Sequence, residues 1–343
     1  MAPFGAQPEG TGRSFGHFDD DRREYVITDP HTPWPWINYL GSEEFFSLIS
    51  NTGGGYSFFR DAKFRRLTRY RYNNVPLDDG GRYFYVNDGG DAWSPGWKPC
   101  RAELDRYECR HGMGYSQLTG ERNGLACSVL FFVPPGDNVE IQHLKLENLS
   151  GEPKKVRLHS MAEWCLWNAE DDMTNFQRNF SIGEVEVEDS VIYHKTEYRE
   201  RRNHYAFYAV NHPLAGFDTD RKSFLGEANG FDAPRSVREG APSNTIAHGW
   251  SPIASHCIEL SLAPGESRDL VFQQGYVEVE PEDKWESHGV INKRPARDLI
   301  GKYDSAEKVR KAFDDLHAYW EDLFSRFSLD SGEPRLDRVV STW

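Results

Sequence analysis

The sequence contains few cysteines, and they form no recognisable motif. The five, Cys100, Cys109, Cys127, Cys165 and Cys257, are odd in number, scattered along the chain and without a C-x-x-C pair. This spacing excludes the disulfide framework of a small secreted protein and a zinc site built on paired cysteines. The thiols are therefore expected to be reduced, and the protein is expected to be cytoplasmic.

Long hydrophobic runs and an excess of positive charge are also missing. No stretch approaches the roughly 20 apolar residues of a membrane-spanning helix, and residues 1–14 lack the apolar core of a secretory signal. Lys and Arg total 40 against 54 Asp and Glu, so the formal net charge is -14. A negative field repels phosphate backbones and anionic lipid. Neither nucleic acid nor a membrane is therefore expected as a partner.

The usual catalytic signatures are absent as well. There is no H-E-x-x-H, no G-x-S-x-G and no His or Cys cluster at zinc spacing, and the twelve histidines are dispersed. The glycine-rich segment 51–57 lacks the lysine and following helix of a phosphate-binding loop, which favours a plain strand connection. A hydrolase using acids such as Glu163 and Asp172 is not favoured, because no pattern places two carboxylates at a working separation. We expect no metal and no cofactor.

Aromatic residues, in contrast, are abundant, with 10 Trp, 16 Tyr and 21 Phe. Filling a large core accounts for roughly half of them. The remainder suits a protein that stacks on flat ligands such as sugars.

Most of the chain has β character. Short β-branched or aromatic runs occur at 82–86, 125–133, 139–149, 156–164, 182–188 and 191–196. Asn123-Gly124 is a hairpin signal, and Ala263-Pro264-Gly265 is a turn between two later runs. Helical patterns between the strands are mostly missing. The sequence therefore predicts a flexible tail over 1–15 and one large antiparallel β-sandwich over 16–288.

The periodicity changes after residue 288. Asp304 and Glu307 are predicted as the N-cap and N3 of an amphipathic helix. Its apolar stripe comprises Val309, Phe313, Leu316, Trp320, Leu323 and Phe327. A shorter helix is expected to open at Pro295 and to end at Gly301. Residues 289–332 are therefore interpreted as a helical linker.

A last helical stripe begins after the break at residues 331–334, with Leu336, Val339, Val340 and Trp343. Two helical turns are too short to be stable alone. The favoured interpretation of residues 333–343 is the start of a further, truncated helical domain. A short terminal helix that docks on the sandwich is the alternative.

Residues 163–179 have the composition of a sugar-binding loop. A sugar requires a flat apolar face for its C–H side and planar donors and acceptors for its hydroxyls. The segment supplies both types, in Trp164, Trp167, Asn175, Phe176, Gln177 and Arg178. An acidic surface loop with its tryptophans in the core is an equally weighted alternative. Residues 33–39 have similar ingredients, but there a proline-rigidified packing corner is favoured.

Several of these segments together resemble the cellobiose phosphorylases, which are inverting phosphorylases of glycoside hydrolase family 94. The similarity extends over residues 16–343. It is carried in order by residues 16–20, 23–28, 32–41, 54–58, 69–74, 85–91, 163–168 and 196–202.

The resemblance implies a mainly β supersandwich, a helical linker and, at 333–343, the first helix of a truncated (α/α)6 barrel. It implies that the parent enzyme converts cellobiose and inorganic phosphate, its co-substrate, into α-glucose 1-phosphate and glucose with inversion, without a metal. In this family the catalytic acid is an Asp of the barrel. We therefore expect no catalytic residue in this chain and no activity from it alone.

The resemblance also implies a role for the sandwich. Asn175, Phe176, Gln177 and Arg178 are expected to reach the acceptor glucose, with Trp167 in the same substrate-binding set and Gln177 and Arg178 bonded to the sugar hydroxyls. A homodimer is expected for the full-length enzyme. A freestanding carbohydrate-binding or interaction sandwich is the alternative.

Overall fold

The structure is a computed structural model that describes residues 14–41, 43–70, 80–173, 182–197, 203–246, 248–249 and 251–342. These residues form two large antiparallel sheets, one small hairpin and several helices. The predicted fold class, a mainly β antiparallel sandwich, is confirmed. Strands and helices are numbered below in their order along the chain.

The first sheet has ten strands among the described residues. Their spatial order is β1 (Gly16–Asp19), β2 (Glu24–Ile27), β8 (Arg106–Gly112), β9 (Tyr115–Arg122), β10 (Leu125–Phe132), β11 (Val139–Asn148), β18 (Ser267–Glu278), β15 (His204–Val210), β14 (Val191–Glu197) and β13 (Ile182–Glu188). All neighbouring pairs are antiparallel.

The second sheet has eight strands, again counted among the residues that the structure describes. Its order is β16 (Gly216–Asp220), β17 (Pro252–Leu262), β12 (Lys154–Trp167), β6 (Arg66–Thr68), β5 (Gly55–Phe59), β4 (Phe45–Ser50) and β3 (Ile37–Leu40), and β7 (Arg82–Asn87) also pairs with β12. A hairpin of β19 (Trp285–Ser287) and β20 (Val290–Ile291) straddles the domain boundary predicted at residue 288.

The two predicted turns have different roles. Asn123 and Gly124 both adopt positive φ, at 56° and 73°, and Arg122 pairs with Leu125 across them. This confirms the predicted two-residue hairpin, since both positions of such a turn require left-handed backbone. Residues 263–265 also form a turn, but β17 before it belongs to the eight-stranded sheet and β18 after it to the ten-stranded sheet.

The main hydrophobic core lies between the two sheets. Phe84 of β7 meets Phe272 of β18 edge-on at 4.9 Å between ring centroids, and Phe59 of β5 stacks on Tyr276 of β18 at 4.3 Å. Trp93, Trp164 and Trp167 are fully buried in the same cluster. Since each fully buried large side chain stabilises the fold by about 2–3 kcal/mol, this aromatic layer is a major source of stability.

The described residues form six α-helices, which are α1 (Ala169–Met173), α2 (Arg221–Leu225), α3 (Arg235–Glu239), α4 (Arg294–Lys302), α5 (Ala306–Ser325) and α6 (Pro334–Ser341). Helices α2 and α3 pack on the eight-stranded sheet, and helices α4 and α5 pack on the ten-stranded sheet. None of the helices in the described ranges is long and apolar enough to cross a membrane. The structure thus confirms the predicted helices near 295–301 and 304–327 and a helix after the break at residues 331–334, with small shifts at their ends.

Helix α5 packs on the ten-stranded sheet along its predicted stripe. Val309 and Leu316 are buried with Phe132 and Ile141, whereas Phe327 lies beyond the helix end and is exposed. At the hairpin between β8 and β9, Gly114 has φ +75°, and a Cβ there would lie 2.5 Å from Nε1 of Trp320. Glycine at 114 therefore permits both the turn and the close approach of the helix.

The start of α5 corrects the prediction by one residue. Ser305, not Asp304, is the N-cap, because its extended backbone (φ -139°, ψ 153°) lets its side chain accept a hydrogen bond from the Lys308 amide. Asp304 instead forms an exposed ion pair with Lys308, at 2.9 Å between Oδ1 and Nζ.

Candidate functional site

The candidate site lies where β12 ends. The pairing of β12 with β6 shifts register between Trp164 and Trp167, and Trp167 adopts φ 67°. This break ends the strand and starts α1, whose first amides, those of Glu170 and Asp171, donate to Oδ1 of Asn168 at 3.0 and 3.2 Å. The chain thereby turns from the sandwich into residues 169–173, immediately before the segment predicted to bind sugar.

The aromatic residues of this region face the core. Trp164 stacks on His194 with ring centroids 5.3 Å apart and planes 4° apart, and Trp167 stacks on His194 at 6.0 Å. Trp167 also meets His204 edge-on at 4.5 Å. Its indole is 0% exposed. Trp167 thus packs in the core, and its predicted contact with a sugar stays a prediction.

The other four predicted sugar-binding residues, Asn175, Phe176, Gln177 and Arg178, lie outside the described residues. Their contact with a sugar stays a prediction. The structure does define what precedes them, since α1 ends at Met173.

A buried charge cluster holds α1 in place. Arg69 binds Asp172 through two bonds, 2.6 Å from Nε to Oδ2 and 2.9 Å from Nη2 to Oδ1. Its Nη1 also donates to Glu163 of β12, and Nε of Arg221 lies 3.3 Å from the same carboxylate. The side chains of Arg69, Glu163 and Asp172 are 8%, 7% and 2% exposed. One guanidinium therefore ties a strand of the sandwich to the helix that leads into residues 174–181.

The electrostatics of this cluster favour a structural role. Burial alone would lower the pKa of Arg69, but the adjacent Glu163 and Asp172 carboxylates outweigh it and raise that pKa above its usual range. Burial also raises the pKa of the Cys165 thiol, and the charge of Asp172 adds to this effect. The two acids are thus occupied as ion-pair partners, and the thiol stays protonated. None of these groups is arranged as a proton donor or nucleophile toward a substrate.

A polar cleft of about 650 Å³ lies on the solvent side of Arg221. Its lining includes Asp220, Lys222, Asn229, His248 and Ser251. Asp220 caps α2 by accepting from the amide and hydroxyl of Ser223, at 2.8 and 2.9 Å. The cleft therefore combines hydrogen-bond donors and acceptors, the composition that suits a hydroxylated ligand. Within the described ranges no three His, Cys, Asp or Glu side chains form a metal-binding group.

Sequence reasoning missed Arg69 and Arg221 as members of this site. Arg69 lies 94 positions before Glu163 in the chain and 103 before Asp172. No local periodicity connects residues so far apart. The acidic composition of 163–172 could have indicated these arginines, because acidic side chains that become buried need a buried cation as a partner.

The chain belongs to the glycosyl hydrolase 94 supersandwich domain family, whose model matches residues 23–306. It is 30% identical to an N,N'-diacetylchitobiose phosphorylase of Vibrio furnissii over 96% of this chain and 40% of that protein. It is also 30% identical to a solabiose phosphorylase of Paenibacillus borealis, over 74% of this chain and 33% of that protein. The chain thus spans 40% or less of the length of these relatives.

Among solved structures, the fold is similar to that of a bacterial glucoamylase crystallised with acarbose. The TM-score is 0.51 at 10% identity, over 92% of this chain and 43% of that one. At this identity the likeness supports the sandwich architecture alone.

Proposed function

We propose that this chain is the sandwich portion of an inverting phosphorylase that cleaves a β-linked disaccharide, with cellobiose as substrate and inorganic phosphate as co-substrate. The family match over residues 23–306 carries the proposal. Relatives named as phosphorylases of chitobiose and of solabiose support it, because they share the reaction class while differing in the sugar. The choice of cellobiose rests on the sequence resemblance.

The proposed reaction needs one acid and one nucleophile. The acid protonates the glycosidic oxygen as its bond to C1 breaks, and a phosphate oxygen attacks C1 from the opposite face, giving α-glucose 1-phosphate and glucose. The acids of the Arg69 cluster are occupied by a guanidinium. As the sequence resemblance implies, the catalytic acid is proposed to lie in polypeptide outside the described residues.

The sandwich is proposed to shape the acceptor site. Arg69 fixes Asp172 and with it α1, which leads into the segment holding Gln177 and Arg178. We propose that these two side chains donate to the hydroxyls of the acceptor glucose. The homodimer and the cytoplasmic location expected from the sequence also remain proposals.

The test uses the product of the complete open reading frame that encodes this chain. With phosphate present, we expect it to release glucose 1-phosphate from cellobiose faster than from N,N'-diacetylchitobiose, while the 343-residue chain alone releases none. Hydrolysis that is independent of phosphate would overturn the reaction class. Preference for chitobiose would overturn only the proposed sugar.

A variant of Arg178 tests the proposed contact with the acceptor glucose. In the synthetic direction, Arg178→Ala should raise KM for glucose at least roughly tenfold, the loss expected for a hydrogen bond from a charged group, with KM for glucose 1-phosphate unchanged. Arg60→Ala is the matched control, since Arg60 forms an exposed ion pair with Glu44. Equal effects of Arg178→Ala on both substrates would contradict the role.

A further inference from the structure

A second cleft, of about 410 Å³, opens where residues 30–35 and the turn after β4 meet residues 97–101. Its lining includes Trp34, Asn51, Trp97, Lys98 and Arg101, together with His31 and Thr52. It lies entirely among described residues. Its volume is within the range of small-molecule sites, and it combines aromatic rings with polar donors.

Trp34 presents its indole to solvent on one side of this cleft. The side chain is 67% exposed, although prolines on both sides restrict its backbone. Two residues later, Trp36 packs edge-on against Tyr25 at 5.6 Å and Phe15 at 5.8 Å. The predicted packing corner is therefore correct for Trp36 and wrong for Trp34. An exposed indole on a backbone restricted by proline is a platform for a flat ligand.

Asn51 provides a buried donor at the floor. It is 0% exposed, and its Oδ1 accepts hydrogen bonds from the Trp36 amide at 3.0 Å and from Oγ1 of Thr32 at 3.4 Å. These two donors fix the orientation of the amide group. Its Nδ2 then has no hydrogen-bond partner among the residues that the structure describes. Because an unsatisfied buried donor is costly, this atom is suited to a ligand acceptor.

The facing wall adds a second ring and two cations. The Trp97 ring lies 4.5 Å from that of His31, whose Nδ1 is 2.8 Å from the Asp29 carboxylate. Trp97 and Arg101 adopt φ of 71° and 55°, which is strained for side chains of this size. The lining contains Lys98 and Arg101 but no carboxylate. The fully charged side chains in the lining are therefore cationic.

We propose that this cleft binds a saccharide of β-linked, all-equatorial pyranose rings. Equatorial hydroxyls leave the axial C–H bonds as a flat apolar face, which stacks on the Trp34 indole. Nδ2 of Asn51 donates to a hydroxyl or ring oxygen at the edge of the sugar. This saccharide site goes beyond the acceptor role proposed for Gln177 and Arg178.

The primary experiment is calorimetric titration of the 343-residue chain with cellotetraose. We expect saturable binding, and Trp34→Ala should weaken it roughly tenfold because the stacking platform is lost. Trp285→Ala is the matched control, since Trp285 is 38% exposed and lies away from the cleft, on the hairpin of β19 and β20. Absence of saturable binding to the unmodified chain would overturn the proposal. So would Trp34→Ala binding as tightly as the unmodified chain.

Two further experiments test the hydrogen-bond donor and the preference for β-linked rings. Asn51→Asp keeps an acceptor for the Trp36 amide but removes the donor, so affinity should fall at least roughly fivefold while circular dichroism is unchanged. Maltotetraose, whose rings are joined through axial bonds, should bind more weakly than cellotetraose. Equal affinity for both saccharides would overturn the assignment to β-linked rings. If Asn51→Asp does not fold, the Trp34→Ala comparison decides the proposal.

Discussion

Arg82 of β7 and Glu140 of β11 form an ion pair that joins the two sheets, and both side chains are 0% exposed. Nε of Arg82 lies 2.5 Å from Oε1 of Glu140, and Nη1 and Nη2 donate to the Leu48 carbonyl and the Ser47 hydroxyl at 3.1 and 2.9 Å. Gln142 donates to the same carboxylate at 2.8 Å. The pair is thus nearly surrounded by hydrogen bonds, which offset the cost of burying two charges.

Replacing one partner of this pair should be far more damaging than replacing both. Arg82→Met leaves Glu140 buried and uncompensated, so the free energy of unfolding should fall by about 3–5 kcal/mol. Arg82→Met combined with Glu140→Leu should recover much of that loss. Urea denaturation measures both. Arg60→Met, which breaks an exposed pair, should cost less than about 1 kcal/mol. A single variant as mild as this control would contradict the argument.

The Arg69 cluster should control the order of α1. Arg69→Leu leaves Glu163 and Asp172 close together and uncompensated, so the amides of residues 169–173 should exchange hydrogen at least roughly tenfold faster. Hydrogen exchange with mass spectrometry measures this. Lys63→Met is the matched control, since it removes the exposed ion pair that Lys63 forms with Glu170 of the same helix. Equal protection in both variants would show that Arg69 does not anchor the helix.

Three buried histidines predict acid sensitivity. Burial lowers the pKa of His111 and of His159 to about 4 and that of His256 to about 3. The unfolded chain binds these protons near pH 6.5, and the folded chain does not. The free energy of unfolding should therefore be highest above pH 6.5 and should fall as the pH drops toward 4, by roughly 3 kcal/mol per histidine.

Denaturation with urea at several pH values tests this dependence. In His111→Gln the free energy of unfolding should depend less steeply on pH between 6.5 and 4, because one proton-linked group is lost. A pH dependence that is the same in His111→Gln as in the unmodified chain would show that His111 does not contribute.

The corrected cap of α5 predicts different effects at two adjacent positions. Ser305→Ala removes the side chain that accepts from the Lys308 amide, so the free energy of unfolding should fall by about 1 kcal/mol. Asp304→Ala removes only an exposed i,i+4 ion pair and should cost about 0.3–0.5 kcal/mol. Thermal unfolding of the two variants compares them. A larger loss of unfolding free energy in Asp304→Ala than in Ser305→Ala would show that Asp304 is the N-cap.

Local signals in the sequence predicted local structure well. The hairpin at Asn123 and Gly124 and the stripe of α5 follow from conformational preference and periodicity, which act over a few residues. The same signals could not place β17 and β18 in different sheets, because a turn defines a change of direction and not a partner. Nor could they show that Arg69 meets Glu163. The composition of 163–167 suited either a binding surface or a core, and burial decided for Trp164 and Trp167.

The position of β18 has a consequence for synthesis of the protein. This strand lies between β11 and β15, so among the described residues it alone connects strands β13 to β15 with the rest of the ten-stranded sheet. Its residues, Ser267–Glu278, come last among the strands of that sheet. A nascent chain therefore cannot close the sheet until about residue 278 has left the ribosome, and before then the edges of β11 and β15 are open to other chains.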